Sequence, residues 1–208
     1  MFDRSPRRSV STFRDFVGGD SVNIVVRRNN MRFSLRSLLL ATTAIAIGIA
    51  FMLYVTHDYR ARMVIRNEIL TDGAYWAEVD PGNSISVVFT KPIDSSKISK
   101  YRSIYQLELG GFAVNAASLE NLLGLEHIDI MLFKSCMISH ADELAPLSAF
   151  GEIRNLLFWD TPISDSSIDV IASVSGLKVV HFTNTSVTQS GIARLRTARP
   201  EISVYSRP

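Results

Sequence analysis

Cysteine is nearly missing: Cys136 is the only one in 208 residues, so the chain cannot close an internal disulfide and offers no Cys pair to a metal. There is no His-Glu-x-x-His run and no Gly-rich phosphate loop, which removes the commonest zinc-hydrolase and nucleotide-binding patterns. Charge of one sign is also lacking, with 22 Lys and Arg against 20 Asp and Glu. What asymmetry exists is positional. Residues 1–36 hold eight Arg and three Asp (net +5), residues 37–55 hold no charge, and residues 56–208 hold 14 basic against 17 acidic residues (net −3). A net-negative main body disfavours nucleic acid as a partner. No catalytic residue, cofactor, metal or small-molecule substrate is expected, and the chain reads as a binding or structural protein rather than an enzyme.

What is present is a period. Six apolar columns recur four times at 24 to 25 residues. They are Ile104, Ile128, Ile153, Leu177; Leu107, Met131, Leu156, Val180; Leu109, Phe133, Phe158, Phe182; Val114, Ile138, Ile163, Val187; Leu119, Leu144, Ile168, Ile192; and Leu122, Leu147, Ile171, Leu195. In a chain that is 47% hydrophobic, chance fills all these cells with a probability on the order of 10⁻⁸ before the choice of register is counted. A fixed period of this size points to a solenoid, in which each unit buries its apolar face only against its neighbours.

Within a unit, the alternating x-Leu-x-Leu-x part fits a short strand buried on one face. A helix-capping type follows each fourth-column residue: Asn115, Ser139, Ser164 and Thr188. The apolar pairs after it, such as Ile168 with Ile171, are spaced for one face of a short helix. The second unit carries one extra residue, placed between Ile138 and Leu144. A degenerate upstream unit is expected at a spacing of 21, with Val88, Ile93, Ile98 and Tyr101 in the later columns and Asp94 as cap. The stretch from Ala198 to Val204 is expected to close the sheet.

The run Ile153-x-x-Leu156-x-Phe158-x-x-Thr161-x-Ile163, matched by Leu177-x-x-Val180-x-Phe182-x-x-Thr185-x-Val187, resembles the leucine-rich repeat, and within it a short bacterial variant with Thr where other classes carry Asn or Cys. That column reads Phe112, Cys136, Thr161, Thr185, so the first repeat departs from the pattern, and Cys136 is expected as a buried structural thiol. The resemblance covers roughly residues 83–208. It implies an α/β solenoid with parallel strands on a concave side and short helices on a convex side. The expected domains are a cap at 83–103, repeats at 104–127, 128–152, 153–176 and 177–200, and an edge at 201–208.

Residues 37–55 form 19 uncharged residues, enough to cross a bilayer. A single N-terminal transmembrane helix at 37–56 is expected, acting as a signal-anchor in the lipid bilayer, with a stem at 57–82. The alternative is a cleaved signal peptide ending near Gly48-Ile49-Ala50, against which Phe51 to Val55 prolongs the apolar run. The Arg-rich segment 1–36 lies on the side favoured for the cytoplasm. In a bacterium this gives an inner-membrane, single-pass protein with its repeats periplasmic or otherwise outside the cytoplasm. Residues 1–36 lack periodicity and are expected to be disordered. Translation may start at Met1 or at Met31, whose following sequence resembles that of other bacterial membrane-anchored repeat proteins.

Three columns are expected on the exposed strand face: Gln106, Ile130, Asn155, Val179; Glu108, Leu132, Leu157, His181; and Gly110, Lys134, Trp159, Thr183. Ile130, Leu132, Leu157 and Trp159 form an apolar group there, flanked by Lys134, Asn155, Val179 and His181. Exposed apolar groups with a Trp mark binding surfaces, so these eight residues are the candidate site for a protein or peptide. The alternatives are a stem folding back over the group and self-association of the repeats in an envelope-organising protein. His181 and Glu108 share a column but stand three strands apart, about 14 Å, too far for a dyad.

Overall fold

A computed structural model describes residues 35–82, 84–93 and 96–207. The Arg-rich segment before residue 35 and the expected cap Asp94 lie outside these residues. The chain divides into two compact units, residues 1–46 and residues 47–208. Helix α1, Leu35–Thr71, begins in the first and ends in the second. Its apolar side chains, among them Leu39, Ile45, Ile49, Phe51 and Leu53, are exposed on every side. That is the pattern of a helix made for an apolar surrounding rather than a half-buried one. By length and composition, Leu39–Thr71 is long and apolar enough to cross a membrane.

The second unit is an α/β arrangement around a seven-stranded, mostly parallel sheet in the order β1-β2-β3-β4-β5-β6-β7. The strands are β1 Trp76–Val79, β2 Ile85–Phe89, β3 Ser103–Gly110, β4 His127–Lys134, β5 Glu152–Trp159, β6 Val179–Thr183 and β7 Ser203–Arg207. All neighbours are parallel except β1 with β2. Between the parallel strands run short helical segments: Ser96–Tyr101, α2 Ala116–Glu120, Ala141–Ala149, Asp165–Ser167 leading into α3 Ile168–Ala172, and α4 Gln189–Ala198.

Each column of the sequence period is a row of neighbours across the sheet. Leu107 pairs with Met131, Met131 with Leu156, and Leu156 with Val180; Leu109, Phe133, Phe158 and Phe182 do the same two residues on. Of the 24 column residues only Val187 is left half-buried; the rest are buried. The Phe133 and Phe158 rings stack at 5.1 Å and the Phe158 and Phe182 rings at 6.0 Å, near parallel. Such a stack adds about 0.5–1.5 kcal/mol per pair to the area it buries.

Two polar features repeat with the strands. After each strand the chain turns through a left-handed residue, Gly111, Ser135, Asp160 and Asn184 in succession. Each donates its backbone N–H to a carbonyl on the next strand: Lys134, Trp159, Thr183 and Arg207. Gly, Asp and Asn tolerate this conformation better than other residues, which explains the composition of that column. Behind it lies the Phe112, Cys136, Thr161, Thr185 column. The Thr161 hydroxyl accepts from the Cys136 N–H at 3.3 Å and lies 3.0 Å from the Trp159 carbonyl, while the Cys136 thiol reaches the Leu109 carbonyl at 3.0 Å. Buried backbone groups at the turn are thereby satisfied.

The expected boundaries shift at the N-terminal side. Trp76–Val79, placed in the stem by sequence, is a strand, joined to β2 by a turn containing Pro81-Gly82. In the degenerate unit, Ile93 and Ile98 are buried as expected, but Val88 is not the core residue. Phe89 pairs with Leu109, and Val88 pairs with Glu108 on the opposite face. The turn after β2 is one residue shorter than in the later units, and a one-residue slip exchanges the faces of a strand.

The capping expectation holds at two of four places. Asn115 accepts from the Ser118 N–H at 2.9 Å and Thr188 from the Gly191 N–H at 3.3 Å. Ser139 does not cap, because the extra residue moves the helix start to His140, where Glu143 accepts from the Ser139 and His140 N–H groups instead. Ser164 occupies the cap position, but its hydroxyl meets Ser166. Neighbouring units are tied by Asp165, which accepts from the Thr188 N–H at 2.8 Å and hydroxyl at 2.6 Å. These bonds hold its carboxyl below the usual range. The approach is close enough that a side chain at Gly191 would collide with the Asp165 carboxylate.

Phe158→Ala should lower the stability of the folded unit by about 3–5 kcal/mol, the cost of emptying a buried aromatic site. Denaturant unfolding checks this, and tolerance would mean that the ring stack contributes nothing to the core.

Candidate functional site

The alternation that sends Leu156 and Phe158 into the core sends Leu157 and Trp159 to the other face. The pairing aligns the three exposed columns as rows: Gln106, Ile130, Asn155, Val179; Glu108, Leu132, Leu157, His181; and Gly110, Lys134, Trp159, Thr183. All eight candidate residues therefore share one face of β4, β5 and β6. Their exposure differs. Trp159 is 46% exposed, Ile130, Leu157, Asn155, Val179 and His181 are half-buried, and Leu132 is only 6% exposed. Leu132 is thus a floor residue, enclosed by neighbours on its own face, and Trp159 stands highest.

Polar contacts fix the surroundings of this group. The Lys134 ammonium lies 5.9 Å from the Trp159 ring centre and 3.9 Å from the Glu108 carboxylate. The Asn155 side chain donates to the Asp129 carbonyl at 2.7 Å. Beside the Trp a shallow depression of about 310 Å3 opens between Val88, Thr90, Glu108, Gly110 and Lys134, where Gly110 presents no side chain.

The rows continue into strands that the expectation left out. β7 adds Ser203, Tyr205 and Arg207 beside Val179, His181 and Thr183. The Tyr205 ring stacks on His181 at 4.6 Å. Burial, and then the charge of Arg207, push the His181 pKa down. The signal for these residues was present in the sequence, since Ser203, Tyr205 and Arg207 repeat the 24-residue spacing from Val179, His181 and Thr183.

The stem does not cover the group with its last turns. Ile65, Ile69 and Leu70 of α1 pack against the core. Arg66 donates to the Ala77 carbonyl on β1 at 2.9 Å, and Glu68 meets Lys100 and the Tyr101 hydroxyl. That end of α1 belongs to the β1 side of the sheet.

Comparison of the chain with protein-family models, with curated proteins and with solved structures finds no match. What this face does has to be argued from its residues.

The remaining titratable residues are structural. His127, expected as a solvated turn residue, starts β4 and joins a four-membered ion network: its Nδ1 is 2.9 Å from Glu152, its Nε2 is 3.4 Å from Asp129, and Arg154 reaches both carboxylates at 3.0–3.1 Å. Arg154, and then His127, hold the Glu152 carboxyl low. Glu108 and His181 sit in one row three strands apart, which leaves no direct contact between them. Cys136 is buried, and burial pushes its thiol from the ordinary 9.0 up to about 11. It stays a thiol at neutral pH and is a weak nucleophile. The folded state thus holds this proton more tightly than the unfolded chain. Its contribution to stability is intact below about pH 9 and should decline as pH rises towards 11. Cys136→Ser should flatten that decline in unfolding curves taken between those pH values.

Proposed function

We propose that the chain is a membrane-anchored interaction module. In this reading residues 37–56 span the bilayer, the N-terminus is cytoplasmic, and the second unit is a leucine-rich-repeat solenoid outside the cytoplasm of a bacterium. The exposed rows of β4–β6 capture a protein or peptide. The observation that carries the reading is Trp159, a large aromatic left 46% exposed beside Leu157 and Ile130 on an otherwise well-packed sheet. Large apolar residues left open in this way favour an interface, and Trp is prominent among interface anchors. The membrane part rests on the uncharged stretch 37–55, about 28 Å as a helix, against a hydrocarbon core of about 30 Å.

A second reading is a structural protein that self-associates through the same face, favoured by the same exposed apolar rows. It differs in what touches Trp159. A photoreactive amino acid placed at Thr183 in membranes should yield adducts with a different protein under the first reading and only dimers of this chain under the second.

Two outcomes are expected. A C-terminal reporter active only in the cytoplasm should be silent and an exported one active, with the chain resisting carbonate extraction; extraction, or a mature N-terminus near Phe51, would remove the anchor. Trp159→Ala should leave the melting curve unchanged, because the side chain points away from the core, yet weaken partner capture by about 2 kcal/mol or more. Unchanged capture would move the site to the helical side.

A further inference from the structure

We infer that the segment taken by this face carries a carboxylate, seated at Arg207 on β7, next to an apolar side chain seated at Leu157 and Trp159. The inference rests on the partner-site reading and adds the chemistry of the partner. Charge across the rows is unevenly answered. Lys134 faces Glu108 at 3.9 Å within the protein. Arg207, at the far end of the Trp159 row, makes no ion pair among the described residues. Its guanidinium is an exposed planar fork that matches a carboxylate with two parallel hydrogen bonds.

The neighbourhood suits that role. Arg207 lies two strand spacings from Trp159, about 9.6 Å, a distance an extended peptide covers in about three residues. Tyr205 and His181 stack between the two seats and leave a rigid aromatic floor. His181 is shifted towards its neutral form, so the positive charge there belongs to Arg207. Residues 56–208 carry a net charge of −3, which repels polyanions in general. An acid therefore needs the apolar anchor beside it to bind here, and nucleic acid does not meet that demand.

The full-length protein in nanodiscs, used to select from a phage-displayed random 12-residue library, tests this. Enriched peptides should share an aromatic residue or Leu with an Asp or Glu about three positions away. A synthetic peptide made from the consensus should bind roughly tenfold more weakly when that acid becomes Gln or Asn. Arg207→Glu should turn the selection towards Lys and Arg, and Arg207→Gln, which keeps the side chain's length, should abolish the charge preference with the melting curve unchanged. Peptides enriched for apolar residues without an acid, and lost on Trp159→Ala, would overturn the carboxylate seat while leaving the partner-site reading in place. Enrichment that survives Trp159→Ala, or none at all, would overturn both.

Discussion

In-register parallel stacking of like residues on like is the constraint from which the rest of this structure follows. No single unit holds enough apolar surface to offset the entropy of ordering it, so each becomes stable only by placing its Ile, Leu and Phe columns on those of its neighbours. Rows such as Leu109, Phe133, Phe158 and Phe182 run through several strands without a break. The ring stack penalises any shift of register, since moving one strand by a residue would put the exposed face into the core.

The turns serve the same constraint. A left-handed residue after each strand lets the chain leave the sheet within one step, and its N–H ties the turn to the next strand. Cys136 and Thr161 then fill equivalent places behind the turn with different chemistry. The thiol reaches back to a carbonyl of the preceding unit, whereas the hydroxyl both accepts from the following column's backbone and donates. This equivalence gives the cysteine its place without any reactive role.

The core of the sheet was legible because a period of 24 to 25 residues repeats six apolar columns and because the strand period of two separates faces. Legibility failed where the period changed. β1 is antiparallel and belongs to no repeat, so Trp76–Val79 carried no column to read. In β2 a turn shorter by one residue exchanged Val88 for Phe89. At the second unit the inserted residue moved the helix start from Ser139 to His140. The face itself was readable as a set of residues, but its relief was not. Leu132 sinks to 6% exposed through enclosure by side chains of adjacent strands, and no local pattern along β4 reports that.

Two arginines narrow what the sheet can do beyond its own fold. Open strand edges attract other strands through unpaired backbone groups. Here Arg66 of α1 occupies the Ala77 carbonyl on β1, and Arg196 of α4 occupies the Val204 carbonyl on β7, each at 2.9 Å. Both outer strands are short, and each has a guanidinium where an incoming strand would need an acceptor. Edge-to-edge growth is therefore disfavoured at both ends. Association is left to side chains on the open face, where Leu132 is already enclosed and offers little new area to bury. The gain on contact falls mainly to Trp159, Leu157 and Ile130, which concentrates the binding energy on one strand pair and makes the identity of that single indole the deciding feature of the surface.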